Sequence, residues 1–147
     1  MELGPGTGVI TRAICQSNVS QKNLVIIERD HRFVEKLRHD FPQAIIVEGD
    51  ARHLKELLEK HNIRHVAAVA SSLPLLAMPD AICHAIVNAA FEVLRPDGVF
   101  IQYTYGPTSP VNEKHQRSIG IKGKVAKRVW GNFPPARVWC YRAEGHA

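Results

Sequence analysis

The chain has 147 residues, 45% of them hydrophobic and 22% charged, which suffices for one compact α/β domain and is too little for two. It holds no run of eighteen apolar residues that would cross a bilayer, and Met1-Glu2-Leu3-Gly4-Pro5-Gly6 has neither the basic start nor the apolar stretch of a secretory leader. A formal net charge of +5 points to an anionic partner, and three widely separated cysteines argue for reduced thiols in a cytoplasmic protein rather than a disulfide frame.

Glycines at 4, 6 and 8 stand where a first strand ends and a helix marked by Val9, Ile10, Ala13 and Ile14 begins. Next come an apolar run, Asn23 to Glu28, and a helix marked by Phe33, Val34, Leu37 and Phe41. The pattern repeats with Ala44 to Val47 and a helix carrying Leu54, Leu57 and Leu58. It repeats again with Val66 to Ala70 and a helix carrying Ile82, Ala85, Ile86, Ala89 and Val93, bounded by Pro79 and Pro96-Asp97-Gly98. Val99 to Tyr103 supplies a fifth strand. Continuous apolar strands alternating with helices predict a doubly wound, mostly parallel sheet covered on both faces, an α/β fold of Rossmann-like class. Lys124 to Trp130 and Arg137 to Tyr141, joined by Gly-Asn-Phe-Pro-Pro, predict a C-terminal antiparallel hairpin. From Lys114 to Arg142 there are eight Lys and Arg residues and no acid, a face suited to phosphate on RNA or on a lipid surface.

The glycine spacing is wrong for a dinucleotide, whose third glycine would fall at position 9, where Val9 stands. It fits a nucleoside ligand without a pyrophosphate. Three acids then mark the ends of three successive strands. Glu2 is placed to balance a cationic amino group of the ligand, and Glu28, twenty residues after Gly8, to accept from ribose hydroxyls. Asp50 is placed to accept from a base amino group while the Ala51 amide donates to a ring nitrogen; Asp50 also suits a helix N-cap.

The ELGPGTG loop, Glu28 and the Gly49-Asp50-Ala51 triplet resemble the cofactor motifs of class I S-adenosylmethionine (SAM) dependent methyltransferases. Ser71-Ser72-Leu73-Pro74-Leu75-Leu76, Gln102-Tyr103-Thr104-Tyr105-Gly106-Pro107 and the closing VWGNFPPARVW look like the bacterial phospholipid N-methyltransferases, which methylate the amine of phosphatidylethanolamine. The resemblance implies a seven-stranded sheet and SAM as cofactor, bound by Glu2, Gly4, Gly6, Gly8, Glu28, Arg29, Asp50, Ala51 and Ser71. It implies an amine site at Ser72, Tyr103 and Tyr105, phosphate contacts from Arg137 and Asn132, and a cytoplasmic protein peripheral on an anionic or zwitterionic phospholipid surface. It also implies that a membrane-resting N-terminal helix and most of the first strand are missing here.

Two further readings fit the same loop. Ribosomal RNA adenine dimethyltransferases share the loop but carry Asn-Leu-Pro-Tyr or Asn-Pro-Pro-Tyr where this chain has Ser72-Leu73-Pro74-Leu75, so RNA is the weaker acceptor. A non-catalytic SAM-binding remnant is the third reading. His61 and His65 have the spacing of a zinc helix but lack the intervening glutamate, and no metal is expected.

Overall fold

The computed structural model describes residues 1–129 and 136–145. In chain order the elements are β1 (Glu2–Leu3), α1 (Val9–Gln16), β2 (Val25–Glu28), α2 (His31–Asp40), β3 (Ile45–Glu48), α3 (Leu54–Glu59), β4 (Val66–Ser71), α4 (Asp80–Val93), β5 (Leu94–Thr104), α5 (Glu113–Ser118), β6 (Ile121–Val129) and β7 (Ala136–Ala143). The strands form one seven-stranded sheet in the order β3-β2-β1-β4-β5-β7-β6. β1 to β5 pair in parallel, and β7 runs antiparallel to both β5 and β6. The doubly wound sheet and its terminal antiparallel pair are therefore as expected.

Strand parity divides the core in two. Leu3, Val25, Ile27, Val69 and Phe100 pack with Leu54 and Leu58 of α3 and with Ile86, Val87, Ala90 and Val93 of α4. On the other face Leu24 and Ile26 pack with Leu37 and Phe41, against Ile14 of α1 and Phe33 of α2. The expectation of a sheet covered on both faces holds only in part. Ala68, Ala70, Val99, Ile101, Val138 and Cys140 are half-buried, because α1 and α2 pack over β1 to β3 rather than over β4, β5 and β7.

Several local expectations also need correction. On α1 the fully buried side chain is Thr11, while Val9 is 66% exposed. β5 begins at Leu94, not after Gly98: Leu94 pairs with Val66 and is buried, and the exposed Arg95-Pro96-Asp97 stretch forms an irregularity before regular pairing resumes at Val99. α5 carries no apolar period and was not foreseen; Asn112 caps it, its Oδ1 accepting from the His115 amide at 2.8 Å. β6 starts at Ile121, three residues earlier than expected. The predicted turn, with Trp130 and Asn132, lies outside the described residues.

Tyr141 anchors β7. Its ring is fully buried against Phe100 and Trp139, with centroids 6.0 and 6.1 Å away, and its hydroxyl meets Ser109 Oγ at 2.7 Å. Burial pushes its phenol up to about 12. The unfolded chain, with an ordinary value near 10, then loses its proton first, so stability falls as pH rises from about 10 to about 12. Chemical denaturation at stepped alkaline pH is expected to show this decline, and Tyr141→Phe is expected to flatten it.

Candidate functional site

The carboxyl ends of β1, β2, β3 and β4 open onto a cavity of about 310 Å³, lined by Gly4, Ile27, Glu28, Arg29, Gly49, Asp50, Ala51, Arg52, Leu73, Pro74, Met78, Ile82 and Ile86. This is the crevice where doubly wound sheets hold their ligands, and its size matches the lower range of small-molecule sites. One wall is polar, built from the ends of β2 and β3. The other is apolar, built from the segment after β4 and from α4.

Glu28 organises the polar wall. Its Oε2 accepts from the Gly6 amide at 3.1 Å, and its Oε1 accepts from the amides of Arg29 and Asp30 at 2.7 and 2.9 Å. A carboxylate offers about four acceptor positions, and three are filled by backbone. Glu28 is thus a latch on the glycine loop as well as a cavity residue, which leaves less capacity for two ribose hydroxyls than the sequence suggests.

Asp50 caps the 3₁₀ turn that precedes α3, accepting from the Arg52 amide at 2.9 Å. The Arg52 guanidinium grips both its oxygens, Nε to Oδ1 at 3.0 Å and Nη2 to Oδ2 at 2.8 Å. The hydrogen bond from Arg52 is the main reason that the Asp50 carboxyl lies well below the usual range, at about 2. The same Asp-X-Arg grip recurs at Asp30 and Arg32, opening α2. Sequence reading missed Arg52; its signal was the arginine two residues after an N-cap aspartate.

The loop conformation answers why glycine is needed. Gly4 and Gly6 have φ of +62° and +55°. A Cβ on Gly4 would sit 2.4 Å from Leu73 Cδ2, whereas one on Gly6 would meet nothing within 4 Å. Open space at Gly6 beside the cavity, with a carboxylate behind its amide, suits a nucleoside ligand passing close to backbone, so the residues present fit SAM.

The predicted cofactor residues divide. Gly4, Glu28, Arg29, Asp50 and Ala51 line the cavity. Glu2 is a correction: it does not line the cavity but is fully buried on the α1 face of the sheet, beside Thr11. Neither of its carboxylate oxygens has a hydrogen-bond partner among the described residues, and burial pushes its carboxyl upward. Gly8, the N-cap of α1, packs toward Leu37 and Phe41. Ser71 is buried, its Oγ accepting from the Leu73 amide at 3.3 Å.

Of the predicted amine site, Ser72 is half-buried at the end of β4, its amide bonded to the Leu3 carbonyl at 3.1 Å. Tyr103 and Tyr105 do stand together, edge to face with centroids 5.2 Å apart, and Tyr105 is 57% exposed. Neither lines the cavity itself. Arg137 turns back on the chain, its Nη1 donating to the Pro107 carbonyl. Gln102, which sequence reading did not single out, is fully buried and donates from Nε2 to the carbonyls of Leu73 and Tyr103 at 2.8 and 2.7 Å, fixing the apolar wall. Among the described residues there is no group of three or more His, Cys, Asp or Glu placed to hold a metal; His61 and His65 lie past the end of α3.

Residues 5–91 match the family model for the TrkA-N domain, well over half of the chain. The chain belongs to the TrkA-N domain family. That match runs from within the glycine loop, past β4, and ends in α4. Whole-chain comparison reaches further. The CcbJ methyltransferase of Streptomyces caelestis superposes with a TM-score of 0.73 at 15% identity, covering 97% of this chain and 82% of that one. The glycopeptide N-methyltransferase MtfA, in complex with SAM, gives 0.72 at 11% identity, with 97% and 85% covered. These likenesses show the fold: the chain shares the doubly wound architecture of these methyltransferases. In sequence it is 34% identical over 110 residues to an ornithine lipid N-methyltransferase of Singulisphaera acidiphila, which is 73% of this chain and 57% of that protein. It is 36% identical over 50 residues to ribosomal RNA small subunit methyltransferase A of Chlorobium chlorochromatii, 34% of this chain and 18% of that one. The chain thus spans little more than half the length of the first of these relatives.

Gly4→Ala combines a left-handed backbone penalty with a clash, whereas Gly6→Ala carries only the penalty, about 1–2 kcal/mol. Urea denaturation is expected to show the larger loss of stability for Gly4→Ala.

Proposed function

We propose that the protein is a SAM-dependent N-methyltransferase whose acceptor is the amine of a zwitterionic lipid, with phosphatidylethanolamine as the first substrate to test. The observation that carries this reading is the 34% identity over 110 residues to a protein named ornithine lipid N-methyltransferase. The apolar wall of Leu73, Pro74, Met78, Ile82 and Ile86 supports it, giving an aliphatic acceptor a surface to lie on.

Bound SAM supplies an electrophilic methyl group on a sulfonium. The protein's share is placement. Glu28 holds the glycine loop, Gly6 leaves room for the ligand, and the apolar wall keeps water from the line of displacement. An ammonium has no lone pair, so the acceptor must reach the site as a free amine. Ser72 at the end of β4 is an acceptor for an amine proton, and the edge-to-face tyrosines offer ring faces to a methylated ammonium. The RNA reading is disfavoured because Leu75, at the position where adenine enzymes stack an aromatic ring on the base, is a buried core residue.

Titration calorimetry is expected to show SAM binding by the parent chain. Glu28→Ala, which releases three backbone amides, is expected to weaken it by about 1.5–3 kcal/mol. With methyl-labelled SAM, label is expected in dispersed phosphatidylethanolamine or ornithine lipid and not in RNA; label in RNA alone would reverse the assignment. Tyr105→Phe is expected to lower turnover with SAM affinity unchanged, and the converse pattern would move Tyr105 into the cofactor site.

A further inference from the structure

The antiparallel ladder of β6 and β7 sets Lys122 opposite Arg142 and Lys124 opposite Cys140. Residues directly opposite share a face, as do alternate residues along a strand. Lys122, Lys124, Cys140 and Arg142 therefore stand together, and with Gly123 they wall a recess of about 270 Å³. Beyond an irregularity between Val125 and Lys127, Lys127 continues the row opposite Val138. Arg142 is preorganised, its Nη1 donating to the carbonyls of Asp97 and Gly98 at 2.9 and 3.4 Å.

Among the described residues no carboxylate forms an ion pair with Lys122, Lys124, Lys127 or Arg142. No acid occurs between residues 114 and 143. Arg12, Arg32, Lys36, Arg52, Lys55 and Arg95, by contrast, are each paired with a carboxylate. Cations facing one another across a ladder are destabilising, and a merely solvated surface intersperses both signs. Lysines do guard exposed strand edges. Guarding an edge, however, requires neither a recess nor a third cation fixed from the neighbouring strand. An anion in the recess would relieve the repulsion.

The neighbouring surface indicates where that anion resides. Ile101 pairs with Cys140, so the basic row adjoins the half-buried apolar strip of Val99, Ile101 and Val138 on the same sheet face. Among the described residues no aromatic ring lines the recess to stack on a base, as single-stranded nucleic acid would favour. We infer that this face of the β6–β7 hairpin docks the protein on an anionic bilayer, with headgroup phosphates at Lys122, Lys124 and Arg142 and with Lys127 extending the contact. The inference rests on the lipid-amine reading for the relevance of a membrane, and on the ladder for its location.

Flotation of the full chain with phosphatidylcholine vesicles, with and without phosphatidylglycerol, tests it. Binding is expected only to the anionic vesicles and to fall as salt rises. Neutralising both lysines in K122Q/K124Q is expected to reduce partition on the order of 25-fold, about fivefold for each cation, and K122R/K124R to restore it. SAM affinity, measured by calorimetry, is expected to be the same in all three proteins, which separates docking from folding and from the cofactor site. Undiminished flotation of K122Q/K124Q would overturn the inference. So would displacement from vesicles by millimolar inorganic phosphate, which would make the recess a site for free anions, or loss of RNA binding in place of vesicle binding. Flotation by the predicted residues in a chain that methylates no lipid would sink the proposed function and leave the docking face standing.

Discussion

The Glu28 carboxylate holds the site together. It accepts three backbone amides from two separate loops, Gly6 from the turn after β1 and Arg29 and Asp30 from the turn after β2. Charge-assisted bonds of this kind are the strong ones, and removing their acceptor would leave several donors unpaired at once. Because Gly6 is fixed relative to β2, the left-handed turn that launches α1 is fixed too, and Gly4 is pressed against Leu73 on the far side of the cavity. The polar and apolar walls are thereby set at one distance from each other by a single side chain.

Around this latch the same local device is used twice. Asp30 with Arg32 and Asp50 with Arg52 each join an N-cap to a two-point guanidinium grip, and both aspartates are drawn down to about 2. The grip turns each arginine back onto its own element. At Asp50 it also keeps an ionised carboxylate beside the cavity, already oriented by protein.

Much of this was legible from residue order. Glycine spacing located the loop, apolar runs located the parallel strands, and the acids at 28 and 50 marked two strand ends that do reach the cavity. Glu2 was misplaced because being near a strand end says nothing of parity: Leu3 points to the α3–α4 core, so Glu2 faces α1. α5 escaped notice because six polar residues carry no hydrophobic period, and its existence depends on the Asn112 cap and on packing with β6. Arg52 and Gln102 take their roles from their partners rather than from their own place in a motif, Arg52 through the Asp50 cap and Gln102 through the carbonyl of Leu73, 29 residues away.

The strand order at the far edge bears on how the chain acquires its shape. β7 follows β6 in the chain, yet it lies between β5 and β6, and among the described residues β6 has no other neighbour in the sheet. Until residues 136–143 emerge, β5 presents an open hydrogen-bonding edge and β6 has nothing to join. The far border of the sheet is therefore closed only when the hairpin adds to β5, and a nascent chain that has not yet exposed β7 carries that border uncovered.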